Sequence, residues 1–468
     1  MKFERASLRV LEQALSRLEQ GFAALPPVET AGNADADVAA MQAVLLQAAE
    51  RMQDNYPYFH PLYAGQMLKP PHPAARAAYA LATWINPNNH ALDGGRASSA
   101  MEVEAVAQIA RMVGFPQHLG HLTSGGTVAN LEALWVTGRM AAQACKPALV
   151  LCSEQAHYTH TRISAVLGLR CETVACDARG RMDVTALEAR LQQADGEYVT
   201  VVVTFGTTAV GAVDPLDQIL PLRERYSFRI HVDAAYGGYF CLASALAEEA
   251  KATVVVLAQA DSLVIDPHKH GLQPYGCGCV LFRDPAAGRF YKHDSPYTYF
   301  SSSELHLGEI TLECSRAGAA AVALWTTQQL LPLQKGGDFA AMLDNCLLAA
   351  QDLHTRLQAD ERLLAMAAPQ LDIVCWAVRA ASLEQSSARA QRIFEAAARR
   401  DLHLALVKLP VRFFPGLAQQ FGADATVTCL RSVLMKPEHR AWLPELWHRL
   451  MQAMQDTGTT TEGGDGHA

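Results

Sequence analysis

No apolar run in this 468-residue chain is long enough to span a bilayer, and the opening Met1-Lys-Phe-Glu-Arg5 has no apolar signal core. Neither a membrane span nor a secretory leader is therefore expected from these residues. Basic clusters are missing too. The 39 Lys and Arg stand against 47 Asp and Glu, a net charge of −8, and they form no stripe. Nucleic acid is excluded as the natural partner on that balance. The eleven cysteines are scattered, and the closest pair, Cys277-Gly-Cys279, is not a Cys-x-x-Cys redox or zinc spacing. Reduced thiols in a cytoplasm fit that pattern. His268 and His270 stand two apart, but no acid or further histidine at ligand spacing completes a metal set, so no metal centre is expected. There is no internal repeat.

What the chain does have is length and alternation. Half of its residues are apolar, and 468 residues exceed one small core, so a large and a smaller lobe are expected. Leu8, Leu11, Leu15 and Leu18 recur at helical spacing and predict a helix over 2–24, with a second over 37–53. Residues 1–90 then read as an N-terminal helical segment suited to packing against another subunit. From about residue 74 helical and strand patterns alternate, which predicts an α/β fold with a mainly parallel sheet. Strands are expected at Ala148–Cys152, Glu172–Ala175, Tyr198–Phe205, Arg229–Asp233, Ser262–Asp266 and Cys277–Arg283, and helices at 127–143 and 185–194. Val199–Val203 is apolar almost throughout, as suits a strand covered on both faces. The large domain would span 91–335. A helical stretch over 315–355 leads into a smaller domain, 336–455, with strands at Leu371–Arg379, Leu402–Leu409 and Ala425–Leu434 and a helix at Arg389–Arg400. The tail 456–468 has no core-forming residue and reads as disordered.

Four places along the alternating region could carry chemistry. Ser262-Leu-Val-Ile-Asp-Pro-His-Lys269 leads an apolar strand up to a lysine, which is expected to lie against the core where lost hydration favours the neutral, nucleophilic amine. A snorkelling lysine is the plain alternative. Ile230-His-Val-Asp233 ends a second apolar strand on an acid, which needs a partner; small Ala235 follows and leaves room beneath a flat ring. An N-cap or a paired core acid would explain Asp233 equally well. Thr123-Ser-Gly-Gly-Thr127 opens a helix with free N–H groups and no bulky side chains, a phosphate cradle or an ordinary cap. His157 follows a strand where parallel sheets place ligands, and could stack on an aromatic cofactor or serve structure alone. A lysine for an aldehyde and an acid for a pyridinium nitrogen together point to pyridoxal 5'-phosphate.

In their order, Thr123-Ser-Gly-Gly-Thr127, Gly206-Thr-Thr208, His231-Val-Asp-Ala-Ala235 and Asp266-Pro-His-Lys269 resemble the group II pyridoxal-phosphate-dependent amino acid decarboxylases. The Asp-Pro-His-Lys element is closest in style to the tyrosine and archaeal aspartate members; the aromatic and glutamate subfamilies often carry Asn where Asp266 stands. The resemblance implies a fold type I protein with a seven-stranded, mainly parallel sheet and a smaller C-terminal α/β domain. It implies a homodimer with active sites at the interface. Carried over, Lys269 would hold the cofactor as a Schiff base, and Asp233 would pair with the ring nitrogen. Ala235 and His157 would lie on opposite ring faces. His268, Gly125, Gly126 and Thr127 would hold the phosphate, and Thr207 or Thr208 would touch the ring hydroxyl or phosphate. In the family a loop tyrosine protonates the product carbon, which would be Tyr297, with Tyr299 as second choice. Arg316, in Cys314-Ser-Arg316, would bind a substrate carboxylate or make a structural pair.

The implied reaction is decarboxylation of an aromatic or acidic L-amino acid to its amine. The crowded segment holding Tyr58, Phe59, His60, Trp84 and His90 is expected to line the substrate pocket. Competing readings are a carbon–carbon lyase resembling sphingosine-phosphate lyase, a decarboxylating aldehyde synthase, and an inactive regulatory relative.

Overall fold

The computed structural model describes residues 3–27, 34–292, 306–422 and 425–458. Its centre is a seven-stranded sheet of β1 (Leu119–Thr123), β2 (Ala148–Ser153), β3 (Arg170–Val174), β4 (Tyr198–Thr204), β5 (Phe228–Asp233), β6 (Ser262–Ile265) and β7 (Gly278–Phe282), in the order β1-β7-β6-β5-β4-β2-β3. Only β7 runs against the rest, pairing antiparallel with both β1 and β6. The α/β class and the mainly parallel sheet are as expected. The central strands are buried along nearly their whole length: Val201, Val202 and Val203 of β4 and Ile230 and Val232 of β5 have no exposed surface. Helices on both faces account for that, as in any sheet built by crossover connections.

The six expected strands of this sheet hold to within two residues at either end. β1 is the one the pattern misses, because Leu119-Gly-His-Leu-Thr123 carries a glycine and a histidine where apolar alternation would be sought. His121 is accommodated by a wholly buried pairing, its Nε2 3.0 Å from Glu132 Oε2 on the helix that follows.

Along the chain before and beside this sheet lie α1 (Ala6–Gly21), α2 (Ala34–Met52), α3 (Pro73–Thr83), α4 (Leu92–Met112), α5 (Gly126–Gln143) and α6 (Thr159–Val166). Within the N-terminal segment, residues 62–64 fasten onto the smaller lobe, where Ala64 N–H donates to the His403 carbonyl (2.9 Å) and Val433 N–H donates to the Ala64 carbonyl (2.7 Å). That lobe is a four-stranded antiparallel sheet of β8 (Leu363–Ala365), β9 (Ile373–Val378), β10 (Ala405–Pro410) and β11 (Thr426–Val433), ordered β10-β11-β9-β8. The two sheets share one apolar core: Leu371, Ile373 and Phe413 of the smaller lobe pack with Phe205 and Val213 of the larger.

Several boundaries differ from expectation: α1 starts at Ala6, β10 starts at Ala405 instead of Leu402, and β8 has no expected counterpart. The 315–355 stretch is two helices, Gly318–Leu330 and Asp338–Gln358. Pro332 and Gly336, at φ 74°, lie in the break between them. The helix expected from Arg389 begins earlier, at Leu383, where the Ser382 hydroxyl accepts from Gln385 N–H at 3.2 Å. The last helix, His439–Gly458, runs into the stretch expected to be disordered, and Arg400 Nε on Asp456 (2.8 Å) ties down its final turns. Residues 459–468 lie outside the described residues.

Candidate active site

The carboxyl ends of β2, β4, β5 and β6 and the start of α5 converge on a cavity of about 490 Å³, the place where parallel sheets bind ligands. Lys269 reaches it from a turn that begins one residue past β6, not from the strand itself. Its surroundings are ionic instead of apolar, which corrects the expectation of a lysine held by the core. Nζ stands 3.0 Å from Asp266 Oδ2, and the side chain keeps 23% exposure toward the cavity. His268, on the same turn, donates from Nδ1 to the Cys277 carbonyl at 2.7 Å, so its Nε2 is the nitrogen facing Asp266, 3.6 Å away. Burial lowers the affinity of the His268 ring for a second proton.

Asp233 projects from the last residue of β5, and its carboxylate is fixed at both oxygens. Oδ1 accepts from Ala235 N–H (3.1 Å), and Oδ2 lies 2.8 Å from His160 Nε2. Burial opposes ionisation there, but the His160 hydrogen bond and charge, with Lys269 behind them, outweigh it and hold the carboxyl well below the usual range. His231, one turn of the pleat away, is pushed down to about 3 by burial. It is neutral, and spans Ser262 Oγ (2.9 Å) and Asn130 Oδ1 of α5 (2.8 Å). Across the cavity His157 lines the wall with its ring 4.4 Å from that of Tyr158; burial keeps it below its ordinary value and so uncharged near neutrality.

The opposite wall is the start of α5, with Gly125, Gly126 and Thr127 on the lining. The first N–H groups of a helix have no acceptor within it and carry its positive end. Gly126 is required by proximity. A Cβ there would stand 2.6 Å from Asp266 Oδ2 and 2.9 Å from Oδ1. Only a glycine lets the helix start lie against that carboxylate.

A family model described as the pyridoxal-dependent decarboxylase conserved domain matches residues 55–379. The chain belongs to this family. Among curated relatives, it is 30% identical over 329 residues to the L-2,4-diaminobutyrate decarboxylase of Acinetobacter baumannii, 63% of this chain and 63% of that protein. It is 27% identical over 382 residues to the L-tyrosine decarboxylase of Enterococcus faecium, 62% of each chain. The match thus spans less than two thirds of these relatives' length. Among solved structures, mouse CSAD superposes with a TM-score of 0.77 at 21% identity, covering 97% of this chain and 93% of that one, which establishes the shared fold.

The family's pyridoxal requirement suits this cavity. The glycine-lined helix start would hold a phosphate. Asp233 would meet a ring nitrogen, the small Ala235 side chain would lie beneath the ring, and Lys269 would reach the aldehyde. Asp266 Oδ1, buried and without a hydrogen-bond partner among the described residues, is an orphaned acceptor on the same wall.

Other expected residues fall elsewhere. Of the two threonines left open, Thr208 lines the cavity, whereas Thr207 is fully buried with Oγ1 accepting from Ala212 N–H at 3.0 Å. Arg316 is not on the cavity wall. Its guanidinium is committed to Glu102 and, through Nη1, to the Leu122 carbonyl (3.2 Å), the structural alternative of the two considered for it. Tyr297 and Tyr299 lie outside the described residues. The aromatic segment expected to line the pocket is absent from its wall. Phe59 packs on Phe3 (4.9 Å), Tyr58 on Tyr63 (4.9 Å) and His60 on Trp442 (4.9 Å), while Trp84 points outward. Sequence reasoning missed His160 and Asn130, and it named Asp266 in its motif without assigning it a contact. The first could have been sought as the second partner a buried Asp233 needs.

Proposed function

We propose that this chain releases the α-carboxylate of an L-amino acid as carbon dioxide, with Lys269 carrying the cofactor covalently. One observation supports this above the others. In a chain of the pyridoxal-dependent decarboxylase family, Asp233 and Lys269 face one cavity from the ends of the adjacent strands β5 and β6. When bound, pyridoxal phosphate supplies an electron-accepting ring. Everything else falls to the protein. The α5 start would anchor the phosphate end, and Asp233, kept ionised by His160, would favour a proton on the ring nitrogen. Neutral His157 offers a flat face. Lys269 Nζ would accept and return protons, and the cavity walls would fix the orientation of the substrate.

The apolar residues left exposed on α2, among them Met41 (57%), Val44 (64%) and Leu45 (61%), support a homodimer, the partner reading the resemblance implies. The cavity wall described here belongs to one copy, and a second copy would complete the substrate side.

The test is a panel of L-amino acids led by 2,4-diaminobutyrate and tyrosine, the substrates in the relatives' names, with aspartate added. Carbon dioxide, amine and aldehyde are measured. Carbon dioxide with amine is expected from at least one substrate, together with a visible cofactor band that Lys269→Ala abolishes. A wild type that binds the cofactor and releases no carbon dioxide from any substrate would end this reading.

A further inference from the structure

We infer that the phosphate site takes up one proton when it is filled, carried by the phosphate or by His268 Nε2 beside Asp266. This rests on reading the cavity as the pyridoxal phosphate site. Asp266 is 2% exposed, and its carboxylate is divided. Oδ2 faces both Lys269 Nζ at 3.0 Å and His268 Nε2 at 3.6 Å. Oδ1 is buried and accepts nothing among the described residues. The same carboxylate abuts the first residue of α5, with room for no Cβ on Gly126. One wall therefore carries two opposed instructions. The positive helix end attracts an anion, while a buried carboxylate beside it repels one. A phosphate monoester loses its second proton near about pH 6 and arrives as a dianion above that. A proton kept on the phosphate, or placed on His268 Nε2, relieves the repulsion, and a phosphate O–H would also satisfy Oδ1.

The remaining titratable groups facing Asp266 do not supply that proton. Burial keeps Cys277, Cys279 and Tyr239 neutral by raising them far above neutrality, and it raises Tyr275 as well. His157 is held unprotonated by burial. Lys269 already serves Oδ2. The proton comes from solvent, and only an O–H or N–H bond forms.

The probe is pyridoxine 5'-phosphate, which has the ring and phosphate but no aldehyde, so no bond to Lys269 enters the proton count. Calorimetric binding at pH 8 in buffers of different ionisation enthalpy should show uptake of about one proton by the wild type, with Kd rising about 10-fold per pH unit between 7 and 8.5. In Asp266→Asn the uptake should fall close to zero and the slope should flatten. Equal uptake in both proteins overturns the inference while leaving the cofactor reading intact. Phosphorus NMR of the wild-type complex is a second measurement that needs no variant. A phosphate signal titrating as the free dianion does, together with zero proton uptake, overturns it too. Failure of the wild type to bind either pyridoxal phosphate or its alcohol removes the inference and the reading together.

Discussion

His160 Nε2 stands 2.8 Å from Asp233 Oδ2, and the histidine is wholly buried. The contact crosses from α6 to the end of β5, and it makes the acid a fixed anion despite its burial. His160→Gln keeps a donor but removes the positive charge that an imidazole can carry. A hydrogen bond to a charged group contributes about 1.5–3 kcal/mol in full, and losing only its charged part should lower kcat/KM roughly 10-fold with the thermal midpoint little changed. His160→Ala should do worse. Wild-type kinetics in both variants would show that Asp233 needs no such partner.

Glu102 and Arg316 form the most enclosed arginine–carboxylate pair among the described residues, with side chains 2% and 6% exposed. Glu102 also accepts from Leu122 N–H (2.9 Å) and Asn89 Nδ2 (2.7 Å), so the pair clamps β1 to α4. Arg316→Ala leaves a buried carboxylate without its cation, and a loss of about 3–5 kcal/mol in unfolding free energy is expected. Glu102→Gln combined with Arg316→Met should recover part of it. Chemical denaturation reads both. If Arg316→Ala instead raises KM with unchanged stability, the arginine binds substrate after all.

These two pairs mark where the sequence is legible and where it is not. Strands β4, β5 and β6 announce themselves by apolar runs, and the residues just past β5 and β6 follow from knowing where such strands end. Lys269, Asp233, His157 and the Gly125–Thr127 turn were therefore readable as a set. The partner of each was not. His160 lies 73 positions before Asp233, and Glu102 lies 214 before Arg316. Only the crossover geometry brings them together, and neither has a local pattern. The apolar approach to Lys269 misled in a specific way. It described β6 correctly, but the strand ends at Ile265, and the buried Asp266 that follows supplies a carboxylate where apolar contact was expected.

Lys436 gives a pH dependence of known sign. It is 2% exposed and donates to the Tyr63 (2.7 Å) and Leu68 (3.1 Å) carbonyls, two bonds that a neutral amine can still make. Burial pushes it down to about 7 from an unfolded value near 10.5. Between those limits the unfolded chain binds the extra proton, so this residue's contribution to stability is fully present above the unfolded value and is lost as pH falls through about 7. The denaturation midpoint of the wild type should therefore rise from pH 7 to 9 relative to Lys436→Met, which lacks the group. Parallel profiles for the two proteins would show that the ammonium stays charged in the fold.

The apolar stripe on α2 sets the last expectation. Val38, Met41, Leu45 and Met52 recur at spacings of three, four and seven, and all are more than half exposed. That is the seam of a helix meant to pack against another. A second copy of this chain is the occupant proposed here, with α1 and the exposed Trp84 and Ile85 enlarging the apolar surface. Each large side chain buried in such a seam contributes about 1.5–3 kcal/mol, and a twofold interface counts every substitution twice. Leu45→Glu, which also places a carboxylate in the seam, should weaken the dimer at least about 100-fold by sedimentation at micromolar concentration. Activity should fall with the dimer fraction and recover as protein concentration is raised, because on this reading a monomer would lack the second copy's share of the site. A Leu45→Glu protein that sediments as a dimer would move the interface elsewhere. One that is monomeric yet fully active would show that a single copy suffices.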